Sequence, residues 1–105
     1  MENFEPTQKK GLKYDQGKPR FDYIPPHALT ELAKVLTFGA QKYAPQSWRS
    51  VENGKDRYLA ALLRHVVAHM QGEQNDDETG LPHMAHVMCN AAFLVELHKD
   101  DDTCS

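Results

Sequence analysis

Long apolar runs are missing from this 105-residue chain: nothing approaches the roughly 20 consecutive residues that a membrane-spanning helix needs. Its opening, MENFEPTQKK, contains no apolar segment of the kind a secretory signal carries. Cysteine is scarce as well. The two present, Cys89 and Cys104, show neither metal-site nor disulfide spacing, and Cys89 falls in an apolar stretch that suits a core filler. These absences predict a cytoplasmic protein without membrane contact. Positive charge is also short, with 12 Lys and Arg against 15 Asp and Glu and a net charge of -3, which speaks against stable nucleic-acid binding. No internal repeat is visible. What remains, 40% hydrophobic and 26% charged, is the composition of a globular protein. The length allows one domain over 1–105, with loose tails expected at 1–10 and 99–105. A domain this small buries a modest fraction of its surface, so pairing with a second copy would help it.

The periodicity predicts an all-α fold, a small bundle of about three main helices preceded by an extended or hairpin arm. The arm comes from the turn signal Asp15 to Gly17, set between short aromatic-bearing segments. Pro25-Pro26 opens a first helix, in which Leu29, Leu32, Ala33 and Leu36 share a face until about Tyr43. Gly39 inside it suggests a close approach or a bend. A loop with the single tryptophan, Trp48, follows. Asp56 is the expected N-cap of a second helix whose face carries Leu59, Leu62, Leu63, Val66 and Met70, with Gly72 as its stop. The third helix, roughly 82–98 and opened by Pro82, is apolar almost all round and is therefore expected at the centre. The tail after it reads as solvated.

Chemistry enters where polar residues interrupt that third helix. At about 100° per residue, His83, His86 and Asn90 fall on the same side as Val87, Phe93, Leu94 and Leu97. Leaving such groups buried and unpaired would cost roughly 1–3 kcal/mol each, so they require partners. On the second helix His65 and His69, four apart, flank the apolar face. The loop between the helices holds Glu73, Asp76, Asp77 and Glu78. A helical hairpin brings these imidazoles and carboxylates to one end of the bundle, which suits a divalent cation. Lys13, Lys18 and Arg20 surround the Gly17 turn, while Lys42, Arg57 and Arg64 lie on the first two helices; such side chains are suited to polyphosphate oxygens. Tyr14, Phe21, Tyr23 and Trp48 either stack a base or plug the open sides of the bundle, and plugging is the simpler role for most of them.

The string Gly11-Leu-Lys-Tyr-Asp-Gln-Gly-Lys-Pro-Arg-Phe-Asp-Tyr-Ile-Pro-Pro26 resembles the opening of phage MazZ-type dATP/dGTP diphosphohydrolases. Three later stretches are similar to that family too: Phe38 to Pro45, Arg57 to His65, and Gly72 to His86. The resemblance spans about 11–97. It implies cleavage of a purine deoxynucleoside triphosphate into the monophosphate and pyrophosphate, in the host cytoplasm for a phage-encoded enzyme. It also implies kinship with MazG-like all-α NTP pyrophosphohydrolases, which depend on Mg²⁺ or Mn²⁺ and form oligomers, here a homodimer or homotetramer.

One departure matters. The MazG-like signature is E-E-x-x-E on one helix and E-x-x-D on the next, whereas this chain offers Arg64-His65 and His83-x-x-His86. Either the histidines share the metal with Glu73, Asp77 and Glu78, or they hold phosphate while the loop holds the metal. Mg²⁺ prefers oxygen and Mn²⁺ accepts imidazole, so a histidine-rich site leans toward Mn²⁺. The expected catalytic set is His65, Glu73 and Glu78, one of which accepts a proton from the attacking water. The expected metal set is Glu73, Asp77, Glu78, His83 and His86, and the phosphate set is Lys13, Lys18, Arg20, Lys42 and Arg64. Two other readings fit parts of this pattern: an HD-type phosphohydrolase, whose adjacent His-Asp dyad is missing here, and a non-enzymatic helical interaction module.

Overall fold

Helix propensity and capping account for most of the chain. The computed structural model describes residue 14 and residues 16–104, and among these it forms three α-helices and two short 3₁₀ turns. The Gly17 turn is present, with φ +83°. The arm after it is not a strand: Phe21–Tyr23 winds into a single 3₁₀ turn, because Arg20 clamps both carboxylate oxygens of Asp22 at 2.8 and 2.9 Å and closes the backbone locally. Helix α1, Pro26–Lys42, begins with proline at its first position, where the missing N–H would have had no partner anyway. It ends before Pro45, and a second 3₁₀ turn, Ser47–Ser50, carries Trp48.

Helix α2 spans Gly54–Met70 and starts earlier than an Asp56 cap would have it. The residue before it, Asn53, takes a left-handed φ of 57° and provides no side-chain cap. Asp56 lies instead within the first turn, where its charge faces the positive end of the helix. The stop is Gly72. With φ +96° it reverses the chain, so that its N–H donates to His69 O (3.0 Å) and that of Glu73 to Ala68 O (3.0 Å). Helix α3, His83–Cys104, continues past the 98 boundary that the apolar pattern suggests.

α3 is central: α1 and α2 both pack on it. Against α2 the contacts run antiparallel, pairing Lys55 with Asp101, Tyr58 with Phe93, and His65 with His83 and His86. Against α1 a small core forms from Val35, Ala85 and Cys89, flanked by Leu32, Leu81, Met88 and Phe93. Burial pushes the Cys89 thiol up to about 11, so it stays protonated and acts as a filler. Trp48 plugs the far end, stacked on Phe93 at 4.3 Å, and its carbonyl accepts the Tyr58 hydroxyl at 2.8 Å. Tyr14, Phe21 and Tyr23, by contrast, are largely exposed. Burial of α3 is not complete on every side, since Val95 is 68% exposed. Nor does Gly39 mark a close approach: a β-carbon there would meet nothing within 4 Å. No helix among the described residues is long and apolar enough to cross a membrane.

Candidate active site

The hairpin joining α2 to α3 is closed by hydrogen bonds that leave its side chains little freedom. Asp76 N–H donates to Leu81 O and Gly80 N–H to Asp76 O, both at 2.8 Å, and Asn75 bridges Pro82. The Asp76 carboxylate folds back over this turn and accepts the Thr79 N–H at 2.9 Å, with the Thr79 hydroxyl 3.1 Å away. That hydroxyl accepts the Leu81 N–H and lies 2.8 Å from His86 Nε2. At the start of α3 the first free N–H, that of His83, donates to Gln74 O at 2.9 Å. The loop therefore fixes both ends of the segment that presents His83 and His86.

From α2, His65 completes the group. Its Nδ1 lies 2.8 Å from Nδ1 of His83, and its ring stacks on His86 at 4.4 Å with the planes only 7° apart. One ligand atom each from His65, Asp76 and His83 falls within 4.8 Å of the others. His83 is 5% exposed. Its Nε2 is buried without a hydrogen bond, although Glu73 Oε1 stands 3.3 Å away, too far off line to accept one. Asn90, also buried, donates to the His86 carbonyl at 2.8 Å.

The charge states follow from this packing. Burial, reinforced by the neighbouring rings of His86 and His83, holds His65 below the ordinary histidine range. Burial lowers His86 as well, against the upward pull of Asp76. For Asp76 burial works the other way, yet the two hydrogen bonds from Thr79 outweigh it and keep the carboxyl below its usual value. At neutral pH His65 and His86 are thus uncharged beside the ionised Asp76 carboxylate, the forms in which such groups bind a divalent cation.

The cluster opens onto a cleft of about 1220 Å³ between α1, the Trp48 turn, α2 and α3. His65, His86 and Thr79 line it, as do Lys42, Arg57 and Arg64. Arg64 makes no hydrogen bond or ion pair among the described residues, so its guanidinium is available to an anion. Lys42 pairs with Glu78 across the rim at 2.5 Å, and that bond raises its affinity for the proton.

The structure thus brings together His65, His83 and His86 and sets Glu73 against His83. Lys42, Arg64 and Glu78 line the cleft that the cluster opens onto. It leaves others apart. Asp77 is exposed and contacts none of the cluster, Lys18 and Arg20 lie on the arm outside the cleft, and Lys13 lies outside the described residues. Arg20 is occupied by Asp22 and stacked on Tyr23. Two members of the cluster were absent from the expected site, Asp76 and Thr79. Their signal is the spacing Asp76-x-x-Thr79, in which a carboxylate caps an N–H three residues on and folds inward instead of standing in solvent.

Residues 8–104 match the family model described as dATP/dGTP diphosphohydrolase, N-terminal. A dATP/dGTP diphosphohydrolase of Salmonella phage PMBT28 is 39% identical over 93 residues, which cover 89% of this chain and 31% of that protein. The chain accordingly spans about a third of the length of the curated relative it matches. No solved structure matches. With nearly its whole length covered by one family model and a relative of this identity, the chain belongs to the dATP/dGTP diphosphohydrolase N-terminal family.

Proposed function

We propose that the cleft hydrolyses a purine deoxynucleoside triphosphate, dATP or dGTP, to the monophosphate and pyrophosphate with a divalent cation. The observation that carries this reading is one cleft lined both by His65 and His86, which belong to the histidine–carboxylate cluster, and by the cationic side chains Lys42, Arg57 and Arg64. Family membership and the name of the phage relative support the substrate class. Donor atoms within 4.8 Å of one another suit a single ion, since bonds of roughly 2–2.4 Å keep ligands no more than about 4–5 Å apart. Two nitrogens and one oxygen fit Mn²⁺ better than Mg²⁺. His65, His83 and Asp76 would hold that ion, which neutralises phosphate charge and acidifies a water when bound.

The chain's own groups supply the rest. Arg64, with Arg57 beside it on the cleft wall, neutralises phosphate oxygens, and Lys42 is drawn from Glu78 when a stronger anion arrives. His86, uncharged at neutral pH, or Glu78 accepts a proton from water in the cleft. A second copy of the chain covers the stripe Leu59, Leu63, Val67 and Met70 on α2, which is 47%, 52%, 48% and 77% exposed and turned away from the cleft. The net charge of -3 supports a protein that does not hold nucleic acid stably, acting in the host cytoplasm as a phage enzyme would.

Incubating the chain with dGTP or dATP and Mn²⁺, then resolving products, tests the reading. Monophosphate plus pyrophosphate is expected. Release of inorganic triphosphate would instead place it with HD-type phosphohydrolases, and no turnover of any deoxynucleotide would leave an interaction module.

A further inference from the structure

His83 is the most constrained group in the molecule, and its protons can be counted. Its Nε2 is closed off from solvent, and the polar atom beside it is Glu73 Oε1 at 3.3 Å. A ring lone pair facing a carboxylate is repelled, whereas an N–H in that position is attracted. The proton therefore belongs on Nε2. The neutral form of the ring has only one, and in that form Nδ1 carries the lone pair. With that form of the ring, the 2.8 Å contact between the two Nδ1 atoms has a single solution without a cation: His65 donates and His83 accepts.

We propose that Glu73 is a positioning residue for the cation site, holding the proton of His83 on Nε2 so that Nδ1 stays open toward the ion, and is not itself a ligand. The end of α2 makes this possible. Gly72 reverses the chain and the Glu73 N–H is tied to Ala68 O, which delivers the side chain behind His83, on the side away from Nδ1. The Glu73 side chain is 46% exposed, leaving it room to swing into line with the N–H. When an ion arrives, His83 needs no change of tautomer. His65 does: it releases its Nδ1 proton to solvent at the cleft and takes one at Nε2. Carboxylates that accept the distal N–H of a metal-bound histidine fix ring and tautomer, and their loss typically weakens metal affinity by about 10- to 100-fold.

This deepens the reading of the cluster as a cation site and is tested with Mn²⁺ alone, so a failure to turn over nucleotide leaves it standing. Free Mn²⁺ is measured by its paramagnetic resonance signal against wild type, Glu73→Ala and Glu73→Gln. Glu73→Ala should bind about 10- to 100-fold more weakly, while Glu73→Gln, whose amide oxygen still accepts the Nε2 proton, stays within about threefold of wild type. In the cation-free chain, long-range ¹⁵N spectra should show an unprotonated Nδ1 on His83 in wild type and Glu73→Gln, and a mixture in Glu73→Ala. Equal losses in the two variants would make Glu73 a ligand and overturn the proposal. So would wild-type affinity in Glu73→Ala, a wild type that binds no Mn²⁺, or a cation-free His83 protonated on Nδ1.

Discussion

Among single residues, Asp76 has one carboxylate for two jobs: it closes the loop through Thr79 and, in the proposed site, would offer an oxygen to the cation. Replacing it by alanine should therefore lower both stability and affinity. Loss of hydrogen bonds to a charged acceptor costs about 1–3 kcal/mol, read as a lower midpoint in urea. Mn²⁺ binding should fall in the same variant. A variant with wild-type Mn²⁺ affinity would remove Asp76 from the site. The histidines make a second prediction. His65 and His86 are held below the ordinary range of about 6.5, so the folded chain resists the protons that the unfolded chain takes up. Their contribution is whole above pH 6.5 and lost as pH falls through the depressed folded values. Without a cation, Tm should be level from pH 8 to 7 and drop between pH 6.5 and 5, and less so in His65→Gln. An equal drop in that variant would assign the loss to other groups.

At the level of elements, α1 carries a defect that its packing does not explain. Gly39 has open space around its α-carbon and an ordinary helical backbone. Alanine there should stabilise by about 0.5–1 kcal/mol, the usual difference between the two residues inside a helix. Thermal unfolding measures this directly. Because Gly39 borders the cleft, a higher Tm accompanied by poorer nucleotide turnover would show that the missing side chain leaves room for substrate. The loop between α2 and α3 is the contrasting case. Every turn of it is held by a named bond, from Gly72 through Thr79 to the His83 N–H, which is why a short polar stretch presents its groups so definitely.

For the whole molecule, the fully buried set is small, and much apolar surface lies open: Leu63 and Met70 on α2, Leu29 on α1 and Val95 on α3 are each more than half exposed. Single exposed apolar residues are ordinary, but Leu59, Leu63, Val67 and Met70, at helical spacing along α2, form a continuous stripe. Light scattering after gel filtration should report an oligomer for the wild type. Leu63→Glu, which places a charge in the stripe and away from the cleft, should shift it to monomer while its helical circular dichroism persists. A wild-type monomer would dismiss the stripe as an interface.

Local signals of the sequence determined the three helices, their order and the Gly72 stop, because periodicity, proline at a first turn and glycine at a C-cap act over a few residues. They also picked out His83 and His86, since polar groups on an apolar face need partners wherever the face is buried, whereas His65 stood out through its neighbour Arg64 and the family resemblance. What they could not resolve was the loop. Glu73, Asp76, Asp77 and Glu78 look alike in one dimension, and only the tertiary structure separates them. Asp76 turns inward under Thr79, Glu73 backs His83, Glu78 meets Lys42, and Asp77 stays in solvent. Likewise the arm cations Lys18 and Arg20 share the charge of Arg64 but not its address. The reason is physical: a carboxylate's or guanidinium's role is set by what lies within a few ångströms of it, and in this hairpin those neighbours come from another helix.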